Sequence, residues 1–122
     1  MNTPLVRAVR GATTVAVDDP EALRDATGEL LGEILARNAL AADDLISILF
    51  TVTPDLRSEF PAVAARGMGL SGVPLMCAQE IPVDGAMPCC IRVLVHCYAP
   101  AQRAIRHVYL RDARQLRMDL PE

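Results

Sequence analysis

With 122 residues the chain has the size of one ordinary domain, and no stretch in it marks a linker between two. Hydrophobic residues make up 52%, more than so short a chain can hide in its own core, so self-association is expected. A net charge of −3 with two Tyr, two Phe and no Trp argues against a nucleic-acid surface, and no apolar window approaches a membrane-spanning length.

Leu5 to Val17 reads as a strand in which Gly11 would ease a bend or a close backbone approach. Asp19, Pro20 and Glu21 are helix start signals: a capping carboxylate, a proline at the first position and an acid in the first turn. Leu23, Ala26, Leu30, Leu31, Ile34 and Leu35 then follow helical spacing, with Asn38 as the stop, so this helix should cover one face of a sheet. A second strand runs from Leu45 to Thr53 and ends at Pro54. Pro61 should start a short helix over Phe60 to Arg66, and Gly67, Gly69 and Gly72 loosen the chain before a third strand at Val73 to Cys77. Pro82 to Gly85 is a turn, Cys90 to Tyr98 an apolar strand, and Arg106 to Leu110 a short final strand. The order predicts an α+β fold: a mixed sheet of about five strands packed on one main helix.

Several chemistries fall away. All twelve basic residues are arginines, which excludes Schiff-base and lysine general-base catalysis. Gly67-Met-Gly69 lacks the trailing lysine and the strand-to-helix setting of a phosphate-binding loop. Cys77, Cys89, Cys90 and Cys97 lack zinc-ligand spacing, and without a secretion signal a disulfide framework is not expected; Cys89, Cys90 and Cys97 read as small buried hydrophobes. The N-terminus has no basic segment followed by a sustained apolar run, so a cytoplasmic location is expected. Cys77, His96, His107 and Glu80 could form a thiol, base and orienting acid, although a strand histidine is more often a packed residue than a base.

Charge points elsewhere. Residues 1 to 102 carry seven Arg against twelve acids, whereas 103 to 122 carry five Arg against three, so the C-terminal end is locally cationic and suits a small anion. Arg92 lies in the apolar run Cys89 to Tyr98. A guanidinium buried there could not shed its proton, and would need a carboxylate or an anionic ligand. Glu80 is the nearest upstream acid in a similar setting. Ordinary roles are available: an ion pair for Arg92 and Glu80, an edge-strand surface for Arg10, a core position for Tyr109. As a set, Arg10, Arg92 and Tyr109 are fixed donors with Glu80 as acceptor, suited to a reaction without covalent intermediate or proton transfer. Unimolecular rearrangement of a dianion fits.

Six segments extend this reading: Arg7-Ala-Val-Arg10-Gly-Ala-Thr-Thr-Val15, Thr53-Pro-Asp-Leu56, Phe60-Pro61, Cys77-Ala-Gln-Glu80, Cys90-Ile-Arg92-Val and Ile105-Arg-His-Val-Tyr109-Leu. In order and spacing the chain resembles the monofunctional chorismate mutases of the trimeric pseudo-α/β-barrel class, over roughly residues 6 to 120 and hence as one domain spanning 1–122. The resemblance implies a cofactor-free, metal-free Claisen rearrangement of chorismate to prephenate, on the branch leading to phenylalanine and tyrosine. It also implies a homotrimer with sites in clefts between subunits. Arg10 and Tyr109 would hold substrate carboxylate, and Arg92 would contact a carboxylate and the ether oxygen that gains charge. Glu80 would accept from the ring hydroxyl, with Cys77 beside it. Phe60 would form an apolar wall, and Arg66 and Arg117 would line or close the entrance. Val63 stands where the family often has lysine, and Met76 where threonine is common, so side-chain roles there do not transfer. Arg7, Arg66, Arg106 and His107 are not assigned catalytic roles. An enamine/imine deaminase-like trimer would also place an arginine between subunits, but its sequence pattern is not evident. A non-catalytic interaction module would need only the apolar surface.

Overall fold

The computed structural model describes residues 3–117. Asp119 and Glu122, two acids of the C-terminal charge count, lie outside the described residues, as do Met1 and Asn2.

Strand β1 (Pro4–Thr14) leads into helix α1 (Pro20–Arg37). Asp19 is extended and its carboxylate accepts the Ala22 N–H at 3.0 Å, Pro20 occupies a first-turn position whose N–H would have no partner, and Glu21 faces the positive helix end. Leu23, Ala26, Leu30, Leu31 and Ile34 are buried, as their spacing predicts, and Leu35 packs at the margin. Strands β2 (Leu45–Val52) and β3 (Leu75–Gln79) are parallel and joined through helix α2 (Ala62–Gly67). Strand β4 (Cys90–Pro100) lies antiparallel between β2 and β1, and β5 (Val108–Tyr109) joins the far edge parallel to β1. The sheet order is β3-β2-β4-β1-β5, an α+β arrangement as the sequence predicts. No helix of the described residues is long and apolar enough to cross a membrane.

The alternation along β4 separates two faces. Ile91, Val93, Val95, Cys97 and Ala99 are buried, whereas Arg92 and Tyr98 are exposed and Leu94 and His96 half-buried. Val93 and Val95 share the α1-side core with Val9, Ile48, Phe50, Leu30, Leu31 and Ile34. Gly11 is required there: a Cβ on it would stand 2.8 Å from Ile34 Cδ1 and 3.1 Å from Leu30 Cδ1. Among the described residues the opposite face is covered only at one end, where the 3-10 segment Arg111–Arg117 sets Ala113 over Ala12 and Cys90.

Several boundaries differ from the sequence reading, β2 ending at Val52 and β4 running on to Pro100 among them. β1 stops at Thr14 rather than Val17, although Val15 still donates to the Cys89 carbonyl. The third strand starts at Leu75 rather than Val73, because the Val73 N–H turns back to Leu70, and it runs on until the Glu80 N–H meets the Val52 carbonyl at 2.8 Å. Pro61 does start α2, as its N-cap, but the helix covers Ala62–Gly67 rather than Phe60 to Arg66. The last strand shrinks to Val108–Tyr109, because the Arg106 backbone is taken by the Asn38 side chain. The 3-10 turn Ala42–Asp44 and the segment Arg111–Arg117 were not anticipated, since neither carries an apolar period long enough to announce a helix.

Candidate active site

Four of the eight predicted site residues line one cleft at the junction of the uncovered sheet face and the C-terminal 3-10 segment. Its volume is about 300 Å³, and its walls are Arg10 and Gly11 of β1, Leu49 and Thr51 of β2, Arg92 and Leu94 of β4, Tyr109 of β5, and Leu116 and Arg117. Pairing explains the convergence: Ala12 stands opposite Arg92 on one side and Tyr109 on the other, and Arg92 stands opposite Thr51. These side chains therefore share a face. Leu49 lies opposite Leu94 and supplies an apolar floor beside the arginines.

Arg92 is not buried in the single chain; its side chain is 50% exposed, because strand alternation directs it away from α1. Its predicted partner is nonetheless correct. Arg92 Nε lies 3.7 Å from Glu80 Oε2, and the Thr51 hydroxyl donates to the same carboxylate oxygen. Thr51 is a residue the sequence reading missed; its signal was its place in β2, in phase with the polar side of a half-apolar strand. Glu80 is the better shielded partner, at 26% exposure.

Cys77 and Phe60 lie elsewhere. They line a second depression of about 380 Å³ with Val52, Leu56, Glu59 and Pro61, and Phe60 is 68% exposed there. Cys77 packs against the α1-side core, opposite Phe50, whereas Glu80 turns to the other face with Thr51. Within one chain the two are not side by side. Arg66 is exposed at the end of α2 and lines neither depression.

A thiol, imidazole and carboxylate do not come together either. His96 is on the face opposite Cys77, and His107 Nδ1 is occupied by the Arg10 backbone N–H at 3.0 Å. Burial, and then the positive charges of Arg10 and Arg117, hold the His107 pKa below its ordinary value. Cys90 and Cys97 are the buried hydrophobes expected, but Cys89 is only half-buried. It adopts φ +53° just before β4, and its thiol and N–H donate to Asp55 at 3.0 and 2.8 Å. That hydrogen bond, with burial and the Asp55 and Asp18 charges, pushes the thiol pKa up to about 11, the opposite of an activated nucleophile.

Residues 6–120 match the family model described as Chorismate mutase type I. Chorismate mutase AroH of Thermus thermophilus is 50% identical over 119 residues, covering 95% of this chain and 97% of that protein. Chorismate mutase AroH of Bacillus subtilis is 41% identical over 118 residues, covering 95% and 93%. A solved chorismate mutase from Clostridium thermocellum superposes with a TM-score of 0.85 at 45% identity, over 89% of this chain and 98% of that one. The chain belongs to the chorismate mutase type I family.

Proposed function

We propose that the cleft of Arg10, Arg92 and Tyr109 carries the family's reaction, the isomerisation of chorismate to prephenate in phenylalanine and tyrosine synthesis, by selecting a reactive conformer and stabilising charge. The observation that carries this reading is the convergence of two guanidiniums and a phenol, from three strands, on one small cleft with an apolar floor. In the rearrangement the ether C–O bond breaks as a C–C bond forms, no atom enters or leaves, and negative charge collects on the ether oxygen. The substrate dianion suits fixed cations. Arg10 and Tyr109 hold carboxylate, Arg92 donates to the oxygen that becomes electron-rich, and Glu80 accepts from the ring hydroxyl.

Magnitudes are adequate. A barrier reduction of about 8 kcal/mol lies at the modest end for enzymes. One donor aimed at a developing oxyanion supplies roughly 3–4 kcal/mol, and holding the near-attack conformer supplies several more. Neither requires a nucleophile, and among the described residues those lining the cleft include no thiol and no imidazole.

The working unit in this proposal is a homotrimer that closes into a pseudo-α/β barrel, with Phe60 and Cys77 of one subunit meeting the arginine cleft of the next. Two features support it: the split of the site residues between two depressions, and apolar side chains left in solvent, with Met76 at 68%, Val6 at 62% and Tyr98 at 50% exposure. Arg66 and Arg117 then border the entrance. The proposed setting is the cytoplasm. Loss of chorismate ultraviolet absorbance without ammonia release, by purified protein whose mass in sedimentation equals three chains, is the expected result. An inactive trimer would favour a non-catalytic module, and ammonia release a deaminase.

A further inference from the structure

We infer that His107 is a positioning residue for Arg10: its unprotonated Nδ1 takes the Arg10 backbone N–H and so fixes where the guanidinium enters the cleft. This rests on the catalytic reading of that cleft.

The bond is 3.0 Å long. β1 and β5 pair at Gly11 with Val108 and at Ala12 with Tyr109, so one residue earlier the ladder has ended and the imidazole ring supplies the acceptor a strand would have given. His107 is itself held by its neighbour. Asn38, 1% exposed at the end of α1, accepts the Arg106 N–H at 2.7 Å and donates to the Arg106 and Ile34 carbonyls, both at 2.9 Å. The Arg103 guanidinium adds bonds to the Asn38 and Ala39 carbonyls. Hydrogen bonds from the end of α1 therefore fix the Arg106 backbone, and the adjoining His107 carries that anchoring through its ring to the base of Arg10.

This contact exists in one protonation state. An imidazolium has no acceptor, so protonation would set Nδ1–H against the Arg10 N–H and add a positive charge beside the cleft. The charged groups bearing on the ring are Arg10 from β1 and Arg117 from the 3-10 segment; with burial they keep it unprotonated at neutral pH. As pH falls through the depressed pKa, below the ordinary 6.5, the acceptor is lost and Arg10 is released.

The test is chorismate kinetics between about pH 5 and 8 on the unaltered protein, His107→Asn and His107→Phe. Asparagine offers a non-titrating oxygen near the position of Nδ1; phenylalanine keeps bulk without an acceptor. Phenylalanine should raise KM about tenfold with a smaller change in kcat, and asparagine should restore KM to within about threefold. The acidic rise in KM of the unaltered protein should be missing from His107→Asn. In substrate-free protein, the Arg10 amide resonance should titrate together with the His107 ring. An unchanged KM in His107→Phe, an acidic limb retained in His107→Asn, or an Arg10 amide that ignores the His107 titration would overturn the inference. Should His107→Phe fail to fold, the comparison with asparagine decides alone. Unaltered protein that did not consume chorismate would refute the catalytic reading and this inference with it, whereas normal turnover with unaffected variants would refute only the role of His107.

Discussion

The Arg92 guanidinium and the Glu80 carboxylate meet at 3.7 Å although their strands do not touch: Arg92 is on β4, Glu80 follows β3, and β2 runs between them. Both reach across the face that α1 leaves open. Half-exposed, Arg92 is well screened, so this pair is weak, and in the proposed mechanism a substrate oxygen would replace the carboxylate at small cost.

Arg92→Ala is expected to lower kcat by about 10²–10³-fold, because in the proposed mechanism the lost contact acts on charge that exists only in the transition state. Arg92→Lys should recover little, since a point charge lacks the planar fork. Arg66→Ala and Arg117→Ala should act mainly on KM. Steady-state kinetics separates the two classes, and equal kcat in Arg92→Ala would remove the mechanism.

Thr51→Val is nearly isosteric and deletes only the hydroxyl that donates to Glu80. Removing such a bond costs roughly 0.5–1.5 kcal/mol, which corresponds to a KM about 3- to 10-fold higher if Glu80 swings away from its station. Thr51→Ser should keep KM near the original value. Parallel thermal melts would show whether stability, rather than aim, had changed.

Gly11→Ala should destabilise the fold by about 1–3 kcal/mol, since the new methyl meets Ile34 Cδ1 at 2.8 Å and the immovable Val108 carbonyl oxygen at 3.2 Å. The urea midpoint would fall with an unchanged slope. A midpoint equal to that of the unaltered protein would mean α1 and β1 separate more easily than their packing indicates.

Asp55→Asn should free the Cys89 thiol. Burial pushes the Asp55 pKa up, but hydrogen bonds from the Cys89 thiol, Thr53 and the Cys89 N–H outweigh it and leave it below 3.8. Its stabilisation is therefore present above the ordinary carboxylate pKa and is lost as pH falls through the lowered one. With the carboxylate gone, Cys89 should alkylate roughly 10- to 100-fold faster at about pH 8, as mass spectrometry of its peptide would reveal. An unchanged rate would exclude Asp55 as the cause of the high thiol pKa.

Much of this fold was legible because its signals are local. Asp19, Pro20 and the stripe from Leu23 to Ile34 define α1 without reference to any other segment, and the phase of β4 alone separates Arg92 from Val93. Gly11 could be recognised as a close approach, though not which side chains approached it. The Arg92–Glu80 pairing was inferred from unlike charges in apolar runs, while Arg92's exposure was misjudged because one uncovered face leaves half of an apolar strand in water. Thr51 was overlooked, and His107 considered only as a base and left without a role, for another reason. Each makes a contact between distant segments, Thr51 with Glu80 and His107 with Arg10, and no spacing in the chain encodes such a meeting. Cys89 was misread for a similar cause: its neighbour Cys90 starts the strand, while Cys89 turns out of it toward Asp55.

Phe60 with Cys77, and Arg10 with Arg92, occupy separate hollows of the same chain. In the trimeric reading each crevice borrows one hollow from either neighbour, so damage in one polypeptide can be masked by another. Mixing a Phe60 mutant with an Arg92 mutant under conditions that permit subunit exchange would regenerate some intact crevices from two individually crippled parents, and extreme dilution would silence even the undamaged protein.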